Sequence, residues 1–244
     1  MSIAEKLTAI AENEKRVYEA GKKSEYDAFW DIYQNNGNRA DYTRAFAASP
    51  FVEEIFKPKY DLICKNAAAM FSYVGYINQT ENTIKDLKSY LKKIGIKLDT
   101  SKCTNLTEMF YTNKAFTHIP IVSAESSTAL TAVFYNATSL IEIEKLILKE
   151  DGTNTFAETQ SWNYPFGICS SLRHIVIEGV IGNTVTFQWS PLTKESITSV
   201  INALSPTVTG KTLTLNKSAK EAAFTADEWS ALIATKTNWT FSLV

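Results

Sequence analysis

An α/β repeat fold, with one parallel sheet preceded by N-terminal helices, is the class this sequence predicts, and three observations predict it. The first is an internal repeat. Thr104 to Tyr111 reads T-x-L-T-x-apolar-F-Y, and Thr128 to Tyr135 reads the same 24 residues later, with five identical positions in eight. Self-similarity at a period in the twenties is the mark of stacked repeats. The second is a series of short alternating segments, one per unit: Ile96/Leu98, Ile119/Ile121, Leu146/Leu148, Ile175/Ile177, Leu213/Leu215 and Phe241/Leu243. Their spacings of 23, 27, 29, 38 and 28 residues leave room for the crossovers that parallel strands need. The third is helical patterning between the later strands. A strand plus a turn or helix buries its apolar side only against neighbouring units.

The elements follow in chain order. Residues 1–25 read as an amphipathic helix, with Ser2 and Glu5 spaced as a capping box and Ile3, Leu7, Ile10, Glu14 and Val17 as a short coiled-coil seam. An isolated helix of this length is marginal in water, so either the rest of the chain or a second copy must cover residues 1–21. Residues 26–93 read as an aromatic-rich helical cap. Tyr26, Phe29, Trp30 and Tyr33 recur at helical spacing, Asn36-Gly37 marks a turn, and Ile84, Leu87, Tyr90 and Leu91 share a face near residues 82–93. Residues 94–244 carry the repeats. Within them, Pro191–Leu204 reads as a helix capped by Thr193, and Ala226–Thr235 as a second one presenting Trp229, Leu232 and Ile233.

The L-x-x-I-x-I pattern, as in Leu172-Arg173-His174-Ile175-Val176-Ile177, resembles the leucine-rich repeat family, in its irregular bacterial surface-antigen form. The resemblance covers roughly residues 94–244. It implies a right-handed solenoid serving as a protein- or glycan-binding scaffold without catalysis. The leader IAENEKRVYEAGKKSEYDAFWDIYQNNGNRADY looks like those of prophage-encoded structural proteins.

Composition excludes several function classes. Hydrophobic residues make up 45% of the 244 and charged ones 21%, enough apolar surface to build a core. Lys+Arg 25 against Asp+Glu 26 gives a net charge of -1, which offers no field for nucleic acid or an anionic membrane. No apolar run reaches the roughly 18 residues of a membrane span, so no insertion is expected. The start, MSIAEKLTAIAENEKR, lacks the apolar stretch of a signal peptide. Synthesis in a bacterial cytoplasm is therefore expected, with release as part of a particle; a trimmed cell-surface adhesin is the alternative. Three cysteines are too few for a disulfide framework, and Cys103 and Cys169 read as small buried apolar residues.

Catalytic signatures are missing: no G-x-S-x-G, no glycine-rich phosphate loop, no H-E-x-x-H, no C-x-x-C. The expectation is a protein that is not an enzyme and needs neither cofactor nor metal, an unassigned enzyme being the third reading. Binding is placed on the exposed sheet face, where alternation puts His118, Pro120, Lys145, Ile147, Lys149, His174, Val176, Glu178, Thr212 and Thr214. His118 and His174 take the same place in their repeats. Glu142 joins them if Ile143 aligns with Ile175, and Lys145 if Leu146 does; the sequence leaves both registers open. The aromatic loops around Trp162, Tyr164 and Trp189 are the other location for a site.

Overall fold

The computed structural model describes residues 41–49, 51–53, 56, 58, 60–76, 79–156 and 164–244. The helix expected over residues 1–25, the stripe from Tyr26 to Tyr33 and Trp162 lie outside these. The fold is α/β with several parallel sheets. The strands are β1 (Leu62–Ile63), β2 (Leu98–Asp99), β3 (His118–Ile119), β4 (Val122–Ser123), β5 (Glu142–Ile147), β6 (His174–Glu178), β7 (Val185–Phe187), β8 (Lys211–Leu215) and β9 (Trp239–Leu243). Every strand pair is parallel: β1 with β2, β3 and β4 with β5, β5 with β6, then β7 with β8 and β8 with β9. Described helices are α1 (Leu87–Ile94), α2 (Lys194–Asn202), α3 (Lys217–Ala223) and α4 (Ala226–Ile233). The cap expected to be helical across 26–93 holds α1 as the one helix among its described residues.

The single sheet expected from the sequence is three sheets among the described residues, for reasons visible in the side chains. Pro120 has no N–H to donate and splits one strand into β3 and β4, which pair with opposite halves of β5. Between β2 and β4 the Thr100 hydroxyl takes the place of a backbone bond, accepting from Ser123 N (2.7 Å) and donating to Ser123 O (2.9 Å). Beyond β6 the next neighbour is α2. Its Ser196 and Ser199 hydroxyls accept from Ile175 N and Ile177 N, both at 2.9 Å, as the carbonyls of another strand would.

The repeated T-x-L-T-x-apolar-F-Y motif forms no strand. Residues 42–49, 67–73, 106–113 and 130–137 are runs of overlapping turns, each closed by bonds such as Met109 N to Leu106 O (3.1 Å) and Tyr111 N to Glu108 O (2.9 Å). Alternate residues donate instead to the next run: Phe46 N to Met70 O, Phe71 N to Met109 O, Phe110 N to Val133 O, Phe134 N to Pro165 O, all within 2.7–2.9 Å. This geometry forces φ near +55° at residues four apart, Glu108 (57) and Thr112 (53), Ala132 (51) and Asn136 (58). Non-glycine residues adopt that region at a cost, so each run depends on its neighbours to hold it there.

Packing supplies that hold. The inward Leu and Phe of each run stack, with ring centroids 5.4 Å apart for Phe46–Phe71, 5.3 Å for Phe71–Phe110, 5.6 Å for Phe110–Phe134 and Phe134–Phe166, and 4.3 Å for Phe166–Phe187. Ile119, Leu146, Ile175 and Leu213 are buried in the same continuous core, as the alternation predicts. Ile96 is only partly buried and packs on its edge; Leu98, two residues on, is the buried residue of β2. Buried amides tie neighbouring segments together: Asn113 Nδ2 donates to Phe71 O (3.0 Å), and Asn154 Nδ2 to Ala124 O (3.0 Å) and Ser127 O (2.8 Å).

Candidate functional site

The four-stranded sheet formed by β3 to β6 lies between α1 and α2. Asp86 bridges to His118 on one flank, and the α2 hydroxyls close the other. Of the two registers left open by the sequence, the structure takes the one that aligns Ile143, not Leu146, with Ile175. His118 pairs with Glu142 and Glu142 with His174, so Ile143 aligns with Ile175. An irregularity between Ile143 and Leu146 then sets Leu146 opposite Ile177 and Ile147 opposite Glu178. The bulge places Lys145 beside Glu178, with Nζ and Oε2 2.6 Å apart.

The row is a set of mated charges. Lys88 of α1 reaches across to Glu142 (2.7 Å) and to Glu144 (3.9 Å). The hydrogen bond that Lys88 donates to Glu142 holds its ammonium above its ordinary value, against the opposing pull of burial. His118 Nε2 stands 4.0 Å from Glu142 Oε2, while its Nδ1 lies 2.9 Å from Thr117 Oγ1. Around these pairs Val176 is 48% exposed and Ile121 39% exposed. Ion pairs this open to solvent each contribute little to stability, typically about 0–1 kcal/mol. Their ordered placement instead presents alternating charge and two aliphatic patches to whatever approaches. Among the described residues no group of three His, Cys, Asp or Glu is placed to hold a metal ion.

The structure divides the residues that the sequence groups together. His118, Lys145, Ile147, His174, Val176 and Glu178 share the four-stranded sheet. Pro120 lies in the break between β3 and β4. Lys149 is past the end of β5 and turns toward the Thr128 hydroxyl, 3.4 Å away. Thr212 and Thr214 belong to a different sheet, paired on β8 with Thr240 and Ser242 of β9. The expected single row is therefore divided between two sheets, and the neighbour of β6 on its far side is α2 rather than a further strand. Lys88 and Glu144 complete the charge row and were not foreseen. Lys88 sits in an ordinary amphipathic helix, and nothing in its sequence signals a long-range carboxylate partner.

No family model, curated protein or solved structure matches the chain. No described helix is long and apolar enough to cross a membrane.

Proposed function

We propose that the chain is a non-enzymatic binding or structural module, a right-handed leucine-rich-repeat-like solenoid whose four-stranded sheet meets a protein or glycan surface. The observation that carries this reading is the stacking of parallel strands in chain order, which holds residues 118, 142 and 174 in register on one face. Supporting it, the runs of turns bond each to the next in sequence, as units of a repeat array do. Parallel strands joined by crossovers of this length favour the right hand. The resemblance of the leader makes a phage or prophage particle the proposed setting. The mixed charges of the sheet face suit a polar partner and offer no track for a phosphate backbone.

The test replaces His118 and His174 together by Ala and measures binding to a glycan array and to whole bacterial cells. Binding weakened about tenfold, with the melting temperature unchanged, is the expected result. Unchanged binding retires the sheet face as the site.

A further inference from the structure

A second surface has its own chemistry. Tyr164 and the outer face of β7 and β8 enclose a cavity of about 300 Å³, at the small end of the range of ligand pockets. Its polar lining includes Asn183, Thr186, Gln188, Lys211 and Thr214. Apart from the Lys211 ammonium and the aliphatic Val185, the described lining is hydroxyl, amide and aromatic, with no carboxylate. The Tyr164 ring packs against Trp189 with centroids 5.6 Å apart, which fixes one wall.

Part of this polar lining is committed. Asn183 Nδ2 donates to Asn154 O (2.9 Å), and Thr186 Oγ1 accepts from Gln188 N (3.3 Å). Among the described residues, the Asn183 carbonyl oxygen, the Gln188 side-chain amide, the Thr214 hydroxyl and the Lys211 ammonium make no bond to another side chain or backbone group. Hydroxyls and primary amides both donate and accept, so together they match a ligand whose groups also do both. Sugar hydroxyls are such groups, and the C–H face of a pyranose packs on an aromatic ring. A phosphate or nucleotide would call for several cations or a nest of backbone N–H groups; one lysine suits one carboxylate.

We propose that this pocket binds a saccharide unit bearing a carboxylate, with Lys211 pairing the acid group and Gln188, Asn183 and Thr214 holding ring hydroxyls. The site is separate from the sheet face and stands whether or not that face binds anything.

Titration calorimetry and ligand-observed NMR on the full chain, with glucuronate and glucose as probes, test it, since the two share a ring and differ in the carboxylate. Glucuronate should bind about tenfold tighter than glucose, the usual worth of one charge-assisted bond. Lys211→Gln should erase that difference, and Thr214→Val should weaken both sugars, each variant keeping the wild-type melting temperature. The variant with His118→Ala and His174→Ala should leave both affinities unchanged. Equal binding of the two sugars, no binding of glucuronate at millimolar concentration, or its displacement by equimolar inorganic phosphate each overturns the proposal. Loss of sugar binding in the double-histidine variant alone also overturns it, and moves the glycan to the sheet face.

Discussion

Ile175 is the second residue of β6, 1% exposed, with its N–H held by Ser196. Truncation to Ala should cost roughly 2–5 kcal/mol in a denaturant melt, and a loss below about 1 kcal/mol would contradict its burial. The three cysteines titrate against burial in the same way. Cys169 is pushed up to about 12, and Cys64 and Cys103 are also raised, burial being the largest cause for each. An unfolded thiol loses its proton near pH 9, whereas the folded one keeps it. Stability from this source is therefore full below pH 9 and declines as the pH rises toward 12. The melting temperature should fall between pH 9 and 12, and should fall less in Cys169→Ser, which retains a donor for Phe134 O. Equal slopes for the two proteins would place the titrating groups elsewhere. Thiol reagents should leave Cys64 and Cys169 unmodified at neutral pH until the chain unfolds.

At the level of elements, the sequence revealed whatever has a period. The alternation around Ile175/Ile177 and Leu213/Leu215 marks β6 and β8, and Thr193 marks the start of α2, where its hydroxyl caps Ser196 N. The stack of runs was visible in the T-x-L-T-x-apolar-F-Y repeat, but its conformation was not. The turn geometry needs positive φ at Glu108 and Ala132, and neither residue type signals that. Helix α3 was missed because K-S-A-K-E-A-A buries no side chain and so carries no apolar stripe. In the candidate site alternation offered the His118–Glu142–His174 register as one of two, whereas the bulge between Ile143 and Leu146, beside which Lys145 meets Glu178, left no mark in the sequence pattern. The exchange of a strand for α2 rests on two hydroxyls, and it can be tested there. Ser196→Ala strands the Ile175 N–H in the core and should cost about 1–3 kcal/mol. The same change at Ser230, on exposed α4, should fall within about 0.5 kcal/mol of wild type. Equal effects in parallel melts would show that the hydroxyl is not the substitute partner.

For the whole molecule, the first question is assembly. If the seam of Ile3, Leu7, Ile10 and Val17 joins copies, deleting residues 1–21 should leave a folded body of lower mass by light scattering. A monomer before and after the deletion, or loss of folding on truncation, assigns that stretch to the chain's own core. The column of rings from Phe46 to Phe187 has a consequence of another kind. Successive members are 25, 39, 24, 32 and 21 residues apart in sequence, yet their centroids stay within 4.3–5.6 Å. Distance along the chain and distance along the column are thus decoupled. An inserted loop between two rings leaves the column unchanged, whereas one extra residue inside Leu106–Phe110 would turn a ring out of line. Tolerance of change should divide accordingly: added length should be accepted in the connecting arcs, and the body should be extended or shortened only by a whole ring at a time.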